Sequence, residues 1–180
     1  MLARGDCEHT SFYCEENVHR LLGRPELAEL PRWVVFISNV KNSCALWQQR
    51  AAGAGRWVIW DYHVVVMARH DDGIRVYDLD SRLTFPTPLA AYVTGTFPFA
   101  TRMPAELSPR FRVVPADRFL ATFSSDRSHM RTPDGGYTYP PPPWPPIQVE
   151  GLPPSTLARF VDMNTPFEGE VMDLEGLLRL

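Results

Sequence analysis

A cysteine at 14, a histidine at 63 and two aspartates at 78 and 80 are the residues of this chain whose types suit acyl-transfer chemistry. Cys14 opens "CEENVHRLL". There Asn17, Val18, Leu21 and Leu22 make a partial helical stripe and two acids fall in the first turn. The spacing predicts a helix over 14–22, ended by Gly23 and Pro25. A thiol at a helix start meets unpaired N–H groups and the positive end of the dipole. Both favour a thiolate, and the same N–H groups can serve an oxyanion. Glu15 and Glu16 work against a low thiol pKa unless both point to solvent, and a solvated helix turn is the plain reading of them. Cys7 and Cys44 lack the helix-start setting.

His63 stands inside "RWVIWDYHVVV", 56–66, an apolar and β-branched stretch broken by Asp61, Tyr62 and His63. A polar trio is tolerable there if it faces a cleft and is hydrogen-bonded. Extended runs are expected at 56–69 and 74–79, separated by the turn signal "HDDG". Strand alternation puts Trp60 and Tyr62 opposite Asp61 and His63, so core packing is expected for the two aromatics. If Arg69 pairs with Ile74, His63 falls opposite Asp80 and Asp78 is its diagonal neighbour, within side-chain reach. A tight Asp72-Gly73 turn would carry Asp78 out to Met67. The register leaves both aspartates open as partners of the histidine. A cysteine at an upstream helix start with a histidine facing an aspartate across two strands is the layout of papain-like and transglutaminase-like thiol enzymes. The carboxylate fixes the imidazole tautomer, and the imidazole takes the thiol proton.

The elements that must position these groups are mixed. "WVVFISN", 33–39, reads as a strand, and "NSCALWQQRA" has helical character. A short helix is expected near 88–94, a strand at "RFRVV", and a helix in "PADRFLATF" with Pro115 near its start. Residues 133–146 hold two glycines and six prolines from 140 to 146, so polyproline conformation over the surface is expected, pinned by Tyr137, Tyr139 and Trp144. "STLARFVDM" reads as a helix with Ser155 as its cap.

The 180 residues are expected to form one catalytic domain acting as a monomer. A net charge of −3 gives no footprint for nucleic acid. No apolar run approaches the ~20 residues of a membrane span, and no secretory signal is seen. Three sparse cysteines argue for free thiols in a reducing compartment, hence a cytoplasmic protein. Cys-x-x-Cys, His-x-x-x-His and glycine-rich phosphate loops are missing, so neither metal nor cofactor is expected.

Six segments run in the order of a known family: "YCEENV" (13–18), "WDYHVV" (60–65), "VYDLDS" (76–81), "FPTPLAAYV" (85–93), "SDRSHM" (125–130) and "PPPPWP" (140–145). The chain resembles the protein N-terminal glutamine amidohydrolases, also called WDYHV-motif proteins. The resemblance implies an α+β fold, a three-layer α-β-α sandwich around a largely antiparallel sheet. It puts the catalytic cysteine on Cys14, the histidine on His63 and the aspartate on Asp78, so it prefers Asp78 to Asp80. It implies deamidation of N-terminal glutamine in proteins or peptides through a thioester, feeding, in eukaryotes, an N-degron pathway. After Pro146 no motif matches. Reading a chain terminus requires an acceptor for the α-ammonium. Glu15, Glu16, Asp61, Asp80 and Asp126 are the candidates, with an Asp126–Arg127 ion pair as the plain alternative for the last. The rival readings are another thiol acyl-transfer enzyme, such as a protease, a transglutaminase or an internal-glutamine deamidase, and a non-catalytic module that binds N-termini.

Overall fold

The structure is a computed structural model that describes residues 2–53 and 55–180. It mixes eight strands with six α-helices among the described residues. The strands are β1 (Arg32–Ser38), β2 (Cys44–Trp47), β3 (Trp57–Trp60), β4 (His63–His70), β5 (Gly73–Tyr77), β6 (Thr87–Pro88), β7 (Arg110–Pro115) and β8 (Glu170–Met172). The helices are α1 (Cys14–Leu22), α2 (Pro25–Ala28), α3 (Leu89–Thr96), α4 (Ala116–Thr122), α5 (Leu157–Val161) and α6 (Leu174–Leu178).

Six strands form an antiparallel sheet in the order β6-β5-β4-β1-β7-β8. Its central strands are apolar at nearly every position because both faces are covered. Val34, Phe36, Val64, Val66 and Val114 point to the side packed by α1, α2, α4 and α5. Val35, Ile37, Val65, Met67 and Val113 point to the side packed by α3 and α6. A strand buried on both faces shows no polar alternation, which explains the continuous valines of β4.

The 56–69 run is not one strand. β3 pairs with β2 in a separate two-stranded sheet, and β4 belongs to the large one. The chain bends between them at Asp61 and Tyr62. Alternation cannot be carried across a change of sheet, so Trp60 and Tyr62 do not share a face; each is half-buried, Tyr62 against the core on the α1 side and Trp60 against the core on the α3 side. "CALW" is also a strand where helical character was expected. Cys44 and Leu46 are buried and Ala45 and Trp47 half-buried, a two-residue period set by pairing with β3. Left-handed Gln48 (φ 57°) ends it.

The β4–β5 register is the one with Arg69 opposite Ile74, and pairing continues to His70 opposite Gly73. Gly73 has φ 123°, which excludes most side chains at the turn. α4 starts directly after Pro115 as expected. α5 is preceded by Thr156 and not capped by Ser155. The Thr156 hydroxyl donates to the Thr122 carbonyl and accepts from the Ser124 N–H, each at 3.0 Å, so it ties α5 to the end of α4.

Candidate active site

Cys14 is the first residue of α1. The helix packs Val18, Leu21 and Leu22 onto the sheet. Buried Asn17 holds the preceding strap through both ends of its side-chain amide, Oδ1 accepting from the Thr10 N–H and Nδ2 donating to the Thr10 carbonyl, each at 2.8 Å. The chain enters the helix through left-handed Phe12 (φ 69°), a costly conformation for an aromatic residue. The Phe12 ring stacks on Tyr139 with centroids 3.7 Å apart, and the Tyr13 hydroxyl donates to the Tyr139 carbonyl at 3.0 Å.

A cavity of about 1040 Å³ brings Cys14 together with Trp60, Asp61, Tyr62, His63 and Asp80. His63 opens β4, immediately after the bend between the sheets. Its Nε2 lies 3.0 Å from Asp78 Oδ1, and both side chains are buried. Its Nδ1 is buried without a hydrogen-bond partner among the described residues. Asp78 is held from every side. Oδ1 also accepts from the Asp80 N–H at 2.9 Å, and Oδ2 accepts from Gln49 Nε2 at 3.2 Å and the Tyr92 hydroxyl at 2.9 Å. Residues 78–80 have left the β5 ladder, so the diagonal neighbour and not the facing aspartate reaches the ring. Asp80 turns to His9 Nε2 at 2.8 Å.

The electrostatics follow from this packing. Burial opposes ionisation of Asp78, but the charge and hydrogen bond of His63, with Gln49 and Tyr92, hold its carboxyl below the ordinary value. Burial lowers His63, and Asp78 outweighs it, so the imidazole is held above its ordinary 6.5. Burial, then Glu15 and Asp80, push the Cys14 thiol well above its ordinary value, while the Val64 N–H pulls the other way. This setting favours the neutral thiol over the thiolate.

The acids named as candidates for an α-ammonium site are dispersed. Asp61 and Asp80 line the cavity, Glu15 lies directly behind its wall against the lining residues Cys14, Tyr62 and His129, and Glu16 and Asp126 lie outside it. Asp126 accepts from the Ser128 N–H at 2.9 Å and does not pair with Arg127. Glu15 and Glu16 are both fully buried, which overturns the solvated helix turn. Glu16 takes the Arg127 fork, Nε at 2.7 Å and Nη2 at 2.8 Å, and accepts from Trp144 Nε1 at 2.8 Å. Arg127 also donates to the Trp144 carbonyl at 2.7 Å, so the proline-rich segment is pinned through Trp144 and Tyr139. Glu15 Oε2 accepts from the Tyr62 hydroxyl at 3.1 Å and lies 3.7 Å from Cys14 Sγ.

His63, Asp78 and Asp80 bring ligand atoms within 4.8 Å of one another, the donor set for a metal found among the described residues. Both Asp78 oxygens already accept two hydrogen bonds each, and His63 Nε2 is spent on Asp78. A cation there would have to break that network, so its residues do not fit a metal. Gln49, Tyr92, His9 and His129 were missed from the sequence. Tyr92 and His129 do lie within matched segments, "FPTPLAAYV" and "SDRSHM". No helix is long and apolar enough to cross a membrane among the described residues.

The family described as N-terminal glutamine amidase matches residues 9–180, including the stretch after Pro146 where no motif was legible. A protein N-terminal glutamine amidohydrolase of Arabidopsis thaliana is 42% identical over 167 residues, covering 87% of this chain and 76% of the relative. One of Drosophila mojavensis is 47% identical over 150 residues, covering 79% and 72%. One of Drosophila erecta is 46% identical over 152 residues, with the same coverage of 79% and 72%.

Proposed function

The chain belongs to the N-terminal glutamine amidase family, and from that premise we propose that it converts N-terminal glutamine of proteins or peptides to glutamate, releasing ammonia through a thioester on Cys14. The observation that carries the mechanism is the division of labour on His63. Nε2 is engaged by Asp78, while Nδ1 is unpartnered in a ring that shares the cavity with Cys14. Nδ1 is therefore the base.

Cys14 attacks the carboxamide carbon as His63 Nδ1 takes the thiol proton. Asp78 stabilises the imidazolium. The Cys14 and Glu15 N–H groups receive the oxyanion, since the Glu16 and Asn17 N–H groups already donate to the Tyr13 carbonyl. His63 returns the proton to the departing nitrogen and then draws one from the water that hydrolyses the thioester. Chain-terminus selectivity comes from an anionic wall, for which Asp61, Asp80 and Glu15 are the remaining candidates. The scaffold is that of papain- and transglutaminase-like thiol enzymes. The chain acts as one catalytic domain and a monomer, and its product enters an N-degron route in the cytoplasm. No metal takes part. Mass analysis of peptides differing only in residue one tests the reading. A gain of one mass unit is expected for free N-terminal glutamine and for neither internal glutamine nor N-terminal asparagine. Equal conversion of internal glutamine would favour a general glutamine deamidase.

A further inference from the structure

Glu15 is a fully buried carboxylate beside the reacting sulfur, and it is incompletely used. Its Oε2 takes the Tyr62 hydroxyl and faces Cys14 Sγ. Its Oε1 has no hydrogen-bond partner among the described residues. A buried carboxylate oxygen without a donor is expensive, and one kept beside a reactive group calls for a functional explanation. His129 Nε2 lies 3.5 Å from Glu15 Oε1 and 3.5 Å from the Tyr62 hydroxyl oxygen. That distance marks a position for a nitrogen donor in front of two acceptors, without forming a good bond to either. His129 can be displaced from that position without disturbing the core. Its side chain is 27% exposed, and it rides on the short turn Ser128–Met130.

We propose that Glu15, with the Tyr62 hydroxyl oxygen beside it, is the receptor for the substrate's α-ammonium, and that His129 holds this place until the substrate displaces it. The proposal rests on the N-terminal glutamine reading and selects among its acids. Asp80 is already engaged by His9, Asp61 is exposed and accepts from the Tyr62 N–H, and all three of Glu16's bonds go to Arg127 and Trp144. The reach is right. The α-nitrogen of glutamine lies about 5 Å from its carboxamide carbon when extended, from standard bond lengths. Glu15 Oε2 lies 3.7 Å from the sulfur that must attack that carbon. The arrangement also couples recognition to chemistry, because Glu15 is, after burial, the largest cause of the raised thiol pKa. An ammonium on Glu15 compensates that charge as the substrate arrives.

The test compares two peptides, one beginning with glutamine and one beginning with its desamino analogue, a glutaric acid monoamide cap with the same carboxamide and no α-nitrogen. The wild-type protein should prefer the amino peptide by ~10³-fold in kcat/KM. Glu15→Gln, which keeps an acceptor for Tyr62 but loses the charge, should bring that ratio close to one, mainly by raising KM for the amino peptide. Asp61→Asn and Asp80→Asn should keep it. Each ratio is internal to one variant, so partial misfolding cancels. His129→Ala, a second and independent handle, should raise the ratio by freeing the position. A full ratio in Glu15→Gln, its collapse in Asp61→Asn or Asp80→Asn, or a lowered ratio in His129→Ala would overturn the assignment. Equal turnover of both peptides by the wild-type protein would remove the chain-terminus reading itself.

Discussion

Glu15 and Glu16 are neighbours of the same type in the first turn of one helix, and both are fully buried. Glu16 is a finished structure. A guanidinium fork and an indole N–H satisfy it, and they fasten residues 127 and 144 to α1. Glu15 is unfinished, with one oxygen shared between a phenol and the thiol and the other without a donor. The difference teaches that burial of a charge does not by itself identify a functional residue. A carboxylate with all its bonds made is a strut, and one with a bond withheld still has room for a donor.

The largest effect should come from the reactive side of that turn. Cys14→Ala is expected to lower kcat/KM by ~10⁴-fold or more without loss of stability, and His63→Ala to be comparable in activity but less stable, because it leaves Asp78 buried without its partner. Ammonia release and thermal melts check it. Undiminished activity in Cys14→Ala, with loss in Cys7→Ala or Cys44→Ala, would detach Glu15 from the chemistry and break the comparison.

Asp78→Asn should be severe but milder, a loss of ~10²- to 10⁴-fold. Asp80→Asn should be milder still. The pH profile sharpens this. His63 must be neutral to accept a proton, and Asp78 holds its pKa above 6.5. Activity should therefore fall as pH drops through a midpoint above 6.5. Without the aspartate charge burial prevails, and that acidic limb should move to lower pH. An unmoved limb would assign it to another group.

Stability should separate the two glutamates directly. Glu16→Gln leaves Arg127 buried without its counter-charge and is expected to cost ~3–5 kcal/mol. Glu15→Gln removes an uncompensated charge and should be neutral or stabilising. Urea unfolding measures both, and the opposite order would reverse the assignment of strut and site. Trp144→Phe, which loses one hydrogen bond to a charged group but leaves the Arg127 fork in place, should cost less than Glu16→Gln, ~1.5–3 kcal/mol.

Much of this was legible without coordinates because it is local. The helix 14–22 follows from its stripe, the first-turn acids and Gly23, and a thiol at its start follows with it. The register of β4 on β5 was narrowed to two by the turn, and the one formed, with Arg69 opposite Ile74, is the one that brings both aspartates near His63. The choice of Asp78 came from resemblance alone, since period-two arithmetic could not foresee that residues 78–80 leave the ladder.

By itself, the sequence determined which groups could react and in what order they occur, because helix starts, turns and strand pairs are written over a few adjacent residues. Tertiary structure alone decided that "RWVIWDYHVVV" crosses from one sheet to another, since apolar alternation does not record which strand lies alongside. It alone brought Gln49 and Tyr92 to Asp78, across 29 and 14 residues. It alone made consecutive glutamates into a strut and an open acceptor. Arg127, Trp144 and His129 stand more than a hundred residues away, and which glutamate each meets depends on how the chain closes over the first turn of α1.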